Sequence, residues 1–280
     1  MSKTIWEGPS ALTGERIRAV ITERSTNTKL TDRGARSDAW PPTRGVELPQ
    51  LWVLPADRHP MDAIKDDGAA AVCGDCPIKT ACYVGKQVVS QVWKHSRSNP
   101  VTPLHELWRD GTEAWLLRLG AWGDPAAIPF SLVEDLSIHA KESGIRRRTG
   151  YTHQWRTADE RFRALVMASV EGTAMSPQAW DLGYRTFAAV PDTGEVDTDG
   201  HFECPATSMR ANRLTCERCG LCNGTESGAK SVWIRLHNNP GRMRLARENL
   251  AQAMARGPVV RTEDALVGEG DPMVVLEVGP

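Results

Sequence analysis

The stretch "AWLLRLGAWGDPAAIPFSLVEDLSIHAKESG", Ala114–Gly144, decides the fold. Its opening, Ala114–Gly120, is almost wholly apolar, which predicts a strand covered on both faces, as in a parallel sheet. Its close, Ser131–Gly144, predicts a helix. Ser131 with Glu134 fits a capping box, Leu132, Val133 and Leu136 form an apolar stripe, and Gly144 ends the pattern.

The same alternation runs outward in both directions. Strands are expected at "LWVL" (Leu51–Leu54), "RTGYTHQW", "FRALVMASV", "YRTFAAV" and "KSVWIRLHN". Helices are expected at "ACYVGKQVVSQVWKH", with Val84, Val88, Val92 and Trp93 on one face, at "SPQAWDLG" and at "RMRLARENLAQAMARG". Apolar strands alternating with helices predict an α/β domain with mainly parallel strands, as a partial or complete (β/α) barrel, with a doubly wound sheet as the alternative. Either arrangement puts function at the C-terminal ends of the strands. The expected division is a loosely ordered leader over 1–45 with one strand near "NTKLT", a barrel-like core over 46–200, a cysteine-rich, metal-binding segment that returns to the core over 201–240, a terminal helix over 241–256 and a flexible tail over 257–280.

The 280 residues carry a formal net charge of −1, so no global field draws the chain to nucleic acid or to an anionic membrane. There is no signal-peptide h-region and no apolar run near the ~20 residues of a spanning helix. The expected setting is therefore a reducing cytoplasm, where clustered cysteines bind metal more often than they pair as disulfides. The sequence lacks a P-loop, a dinucleotide glycine fingerprint and a Gly-x-Ser-x-Gly elbow.

The seven cysteines fall into two groups. Cys73, Cys76 and Cys82 are spaced Cys-x2-Cys-x5-Cys; Cys204 precedes the run Cys216-x2-Cys219-x2-Cys222. Thiolates at this density suit zinc or an iron–sulfur cluster. Three cysteines within seven residues plus a remote Cys-Pro favour a cluster in the second group. The first group lacks a fourth cysteine. Either His59, His95 or Asp75 completes a zinc site, or three thiolates hold a cluster with one iron open to a small molecule.

Other polar residues mark themselves by position. Arg118 interrupts an apolar strand, so it needs an ion-pair partner or binds an anion. Tyr151 and His153 share one face of an extended segment, and His153 is a candidate for proton transfer. Ser169 and Glu171 end a buried strand, and Arg185 lies in "YRTF"; such strand-end groups lean functional in a parallel barrel. Asp124 reads equally as a turn residue in Gly-Asp-Pro. "GIRRRTG" and the Arg-rich last helix read as solvated faces.

Taken together, "VCGDCP", "RLGAWGDPAAIP", "GYTHQW", "MASVE", "YRTF", "CPA" and "CERCGLC" resemble phage and bacterial proteins of the gene-product-88-like type, over roughly residues 50 to 237. That resemblance implies a phage- or prophage-encoded protein of a bacterial host cell. Parts of the chain also resemble the radical S-adenosylmethionine (SAM) superfamily. Its members have a partial (β/α) barrel, a three-cysteine cluster after the first strand and a Gly-Gly-Glu-Pro motif after the second. Here Gly123-Asp124-Pro125 occupies the place of that motif, and "MASVEG" resembles the Ser-x-Asp-Gly stretch that ends the fourth strand.

The resemblance implies one or two [4Fe-4S] clusters, SAM as cofactor and an electron donor. By analogy Cys73, Cys76 and Cys82 hold the first cluster and Cys204, Cys216, Cys219 and Cys222 an auxiliary one. Gly123, Asp124, Ser169 and Arg185 would bind cofactor, with Asp124 and nearby backbone holding the SAM ammonium. Arg118, Tyr151, His153 and Glu171 would serve catalysis on a small-molecule, nucleotide or peptide substrate. The competing expectation is a non-enzymatic, zinc-stabilised module that binds nucleic acid or a protein partner.

Overall fold

The structure is a computed structural model and describes residues 2–25, 27, 29–31, 46–66, 69–82, 84–108, 114–191, 194–207, 214–236 and 240–256. Among these, nine strands form one mixed sheet: β1 (Ser2–Pro9), β2 (Arg16–Ser25), β3 (Val46–Pro55), β4 (Leu116–Trp122), β5 (Arg147–Thr152), β6 (Met167–Glu171), β7 (Thr186–Val190), β8 (His201–Glu203) and β9 (Ser231–Arg235). The sheet order is β1-β2-β3-β4-β5-β6-β7-β9-β8, and it is open, with β1 and β8 at its edges. β1, β2 and β3 pair antiparallel; every pairing from β3 onward is parallel.

Parallel neighbours need long crossovers, and helices supply them. They are α1 (Pro60–Lys65), α2 (Ala70–Cys73) and α3 (Lys86–Ser96) between β3 and β4, α4 (Phe130–Glu142) before β5, and α5 (Ser176–Asp181) before β7. Two more follow: α6 (Cys216–Cys219) and α7 (Pro240–Arg256). Alternate residues divide the two faces of β4. Leu117 and Leu119 are buried in the core with Val133 and Leu136 of α4, while Arg118 and Gly120 line a cavity. That core holds most of the buried apolar residues among those described.

Several sequence expectations need correction. Residues 2–25 are not a loose leader but two strands that extend the sheet. In β2 the buried Ile17, Ala19 and Ile21 alternate with Arg16 and Arg18, and Arg18 reaches Glu7 of β1 at 3.2 Å. "NTKLT" forms no strand in its described residues; Leu30 N–H closes a turn onto the Asn27 carbonyl at 3.0 Å. In α4 the helix starts two residues earlier than the capping box implies. Pro129 is the N-cap and Ser131, already inside, makes no cap hydrogen bond. In α3 the buried face is Val89, Val92 and Trp93, while Val88 is exposed and Val84 precedes the helix. Within the 201–240 segment, β9 lies between β7 and β8 in the sheet. The tail over 257–280 lies outside the described residues. No helix among the described residues is long and apolar enough to cross a membrane.

Candidate metal centres and the cavity between them

The first cysteine group hangs on the connection after β3. α2 ends in Cys73, and a turn closed by Cys76 N–H on the Cys73 carbonyl at 3.1 Å leads to Cys76. A short 3-10 turn, Lys79–Ala81, then delivers Cys82. Three contacts pin this loop to neighbouring strand ends. Asp124 N–H donates to the Val72 carbonyl at 2.6 Å, the Gln154 side-chain amide donates to the Cys73 carbonyl at 3.2 Å, and Gly123 N–H donates to the Cys73 sulfur. Gly123 has φ +78°, and a Cβ there would lie 2.3 Å from the Val53 carbonyl oxygen. Only glycine lets the end of β4 come this close to β3.

The second group is assembled from three places. Cys204 follows β8, and its N–H donates to the Trp233 carbonyl at 2.8 Å. α6 carries Cys216 and Cys219, and its first N–H groups donate to the carbonyls of Lys29 and Leu30 at 3.0 and 2.9 Å. The Cys222 carbonyl accepts from Gly150 of β5 at 3.1 Å. All four cysteines line one small cavity, together with Thr149 and Tyr151.

A larger cavity of about 260 Å3 reaches both groups. Cys73, Cys76 and Cys82 line one part of it and Cys204 and Cys216 another. Between them face Arg118 and Gly120–Asp124 of the β4 end, Thr149, Tyr151 and His153 in alternation, Ser169, and Phe187 with Ala189. Met243 and Ala246 of α7 also line it. Asn249 fastens that helix to Thr80 of the first cysteine loop at 3.0 Å.

All seven cysteines are free thiols. Burial, with neighbouring sulfurs adding to it, pushes the thiols of Cys73, Cys76 and Cys222 well above their ordinary range, and that of Cys216 up to about 12. Grouped thiols of this kind ionise when a cation joins them. Among the described residues no three His, Cys, Asp or Glu side chains converge closely enough to hold a single metal ion. His59, His95 and Asp75 line neither cavity. His59 instead caps α1, its Nδ1 accepting from Met61 N–H at 3.3 Å, and packs edge-on against Trp93.

The other expected site residues divide. Asp124 is buried in the cavity wall, but its carboxylate is already committed. It accepts from the N–H groups of Ala126 (2.9 Å) and His153 (2.8 Å) and from the side chains of Thr152 and Gln154. Four donors fill the acceptor positions of a carboxylate. Asp124 is thus a clamp joining β4, β5 and the cysteine loop, and its carboxylate keeps no acceptor position for the expected ammonium contact. Arg118 lies level with Gln50 of β3, whose side-chain oxygen is 3.5 Å away, and near Cys216. Tyr151 stacks at a tilt on Phe187 with ring centroids 4.2 Å apart, and its hydroxyl meets Cys222.

His153 Nε2 stands 4.0 Å from Glu171. Burial holds the imidazole down at about 4 and raises the Glu171 carboxyl, so at neutral pH this contact is not an ion pair. Glu171 supports His153 and itself lines neither cavity.

Arg185 is in neither cavity. Its buried guanidinium donates to the carbonyls of Leu221 (2.8 Å), Gly224 (2.8 Å) and Lys230 (2.7 Å) and to Ser227 Oγ (2.7 Å). Of the "GIRRRTG" arginines, Arg146 is exposed, as a solvated face implies, while Arg147 and Arg148 are also engaged with backbone. Arg147 donates to the carbonyls of Glu217 and Arg218, and Arg148 to those of Ala164 and Leu165. Arg185 and Arg147 shape the second cysteine loop, a role that local sequence does not display.

No protein-family model matches this chain, and no curated protein and no solved structure is significantly similar to it.

A further polar cluster has the look of a nucleophilic triad. Ser176 Oγ is 2.7 Å from His201 Nε2, and His201 Nδ1 is 3.5 Å from Asp197. Ser176 is 0% exposed, and Thr186 shares the same hydrogen bonds at 2.8 and 3.2 Å. A nucleophile with no access serves packing, here fixing β8 against α5.

One pH prediction follows from opposed shifts. Burial outweighs the four donors and raises Asp124 to about 6, so the cost of its buried charge removes stability as pH rises from 3.8 to 6. His153, depressed to about 4, acts in the other sense: stability is present above 6.5 and lost as pH falls toward 4. Each is worth roughly 3 kcal/mol, so they nearly cancel. His153→Gln should unmask the Asp124 slope. Urea denaturation should then show the variant losing stability between pH 4 and 6, relative to the parent; parallel profiles would refute it.

Proposed function

We propose that this chain is an iron–sulfur enzyme of radical-SAM-like type on a partial (β/α) barrel. Cys73, Cys76 and Cys82 would hold a [4Fe-4S] cluster with one iron open to SAM. Cys204, Cys216, Cys219 and Cys222 would hold an auxiliary cluster. The observation that carries the proposal is the cavity reaching both cysteine groups along one face of the parallel strands.

Further observations support it. Strands β3, β4, β5, β6, β7 and β9 lie side by side in chain order and run the same way. The first group follows the first of them and Gly-Asp-Pro follows the second. The donors are thiols, which suit soft metals.

When bound, such a cluster with SAM supplies reductive cleavage of a C–S bond; the protein contributes binding, orientation and exclusion of water. Backbone at Gly120–Gly123 would cradle SAM, held in place by the Asp124 clamp. Ser169 and Arg118 would contact polar groups within the cavity. The uncharged His153 can accept a proton at Nε2, with Glu171 behind it. The apolar walls, Trp122, Phe187 and Met243 among them, exclude water.

The test is anaerobic purification with quantification of metal and inorganic sulfide. Two clusters predict about eight iron and eight sulfide per chain and a brown protein. Zinc alone in a colourless protein would leave a zinc-stabilised binding module instead.

A further inference from the structure

Resting on the two-cluster reading, we propose that the second cysteine group holds the more easily reduced cluster, and that Tyr151 is the residue that positions a hydrogen-bond donor on it. Thr149 Oγ1 donates to the Tyr151 hydroxyl oxygen at 3.4 Å. That contact takes up a lone pair of the hydroxyl and leaves its hydrogen for Cys222, the sulfur it meets. Tyr151 and Thr149 both line the small cavity around the four cysteines.

One-electron reduction adds a negative charge to a cluster, so nearby cations and donors to sulfur favour the reduced form. The two groups differ in this respect. Around the second group, Arg118 lies near Cys216, Arg147 near Cys219 and Arg185 near Cys222. The last two are anchored by hydrogen bonds to the carbonyls of the very turns that carry those cysteines. Glu217, between Cys216 and Cys219 in sequence, turns its carboxylate to Thr31 at 2.5 Å. Around the first group the named charges oppose each other: Lys79 is close to Cys73, and Asp124 is close to both Cys73 and Cys76. The second site therefore stabilises an added electron more than the first.

The test is a dithionite titration followed by electron paramagnetic resonance, after iron and sulfide have been counted. Cys82→Ala protein serves to assign the second cluster's signal. The second cluster should reduce at the higher potential. Tyr151→Phe keeps the ring contact with Phe187 and removes only the hydroxyl. It should move the second cluster's midpoint to lower potential and leave the first cluster's unchanged. Should that variant fail to fold, Arg118→Gln is expected to shift the same midpoint in the same direction. Unmoved midpoints, or a first cluster that reduces more easily, would overturn the inference while the counted iron and sulfide still support two clusters. Zinc in the second group would overturn both.

Discussion

Replacing Cys82 with alanine should abolish reductive cleavage of SAM while the second group keeps its iron. Cys82 comes at the end of the 3-10 turn Lys79–Ala81 and lines the large cavity with Cys73 and Cys76. Those two remain after the substitution, and two thiolates do not hold a cluster that normally has three. The second group draws its cysteines from other elements and lines its own small cavity, without Cys82. Methionine released from SAM under dithionite should fall by more than ~100-fold, beyond what loss of a supporting contact costs. Iron should fall by about half. Unchanged methionine release would remove the first group from the chemistry.

Arg185→Leu should have the largest effect on stability. Arg185 is 8% exposed, and its guanidinium supplies donors to three backbone carbonyls and to Ser227. A leucine fills similar space and leaves those acceptors unmet. At about 1–3 kcal/mol for each buried group left without a partner, the loss is on the order of 4 kcal/mol. The Tm should fall by roughly 10 °C. The damage should also be local, because the orphaned carbonyls of Leu221 and Gly224 flank Cys222. Iron should leave the second group before the first. Arg185→Lys should not rescue it, since an ammonium cannot spread donors over this fork. A Tm within two degrees of the parent, or equal loss of iron from both groups, would contradict this role.

The legible part of this protein was its interior. β3, β4, β6, β7 and β9 show in the sequence as largely apolar runs because strands buried on both faces need apolar side chains, whereas β5 (RRTGYT) is the weaker signal. β1 and β2 do not announce themselves in that way. Their residues alternate, with arginines and a glutamate between apolar positions, and their pairing partner lies on another strand. The alternation Ile17, Ala19, Ile21 was the available signal. The cysteines were legible from spacing alone. Arg185 was not: a strand-end arginine suggests a bound anion, and nothing near it in sequence shows the carbonyls that lie 36 to 45 residues later. Asp124 was half legible. Its place after β4 was clear, but the donors from β5 that saturate it were not.

The seating of α6 on Lys29 and Leu30 ties the order of assembly to the order of synthesis. Thr31 and Glu217 meet across 186 residues of chain. The turn bearing Cys216 and Cys219 is gripped from the N-terminal side of the sheet, and Cys204 is gripped by β9. Closing a loop of that length comes late in folding. Metal taken up by the second group would therefore mark a chain whose two distant parts have found each other, and would act as a seal on a finished fold rather than a seed for it.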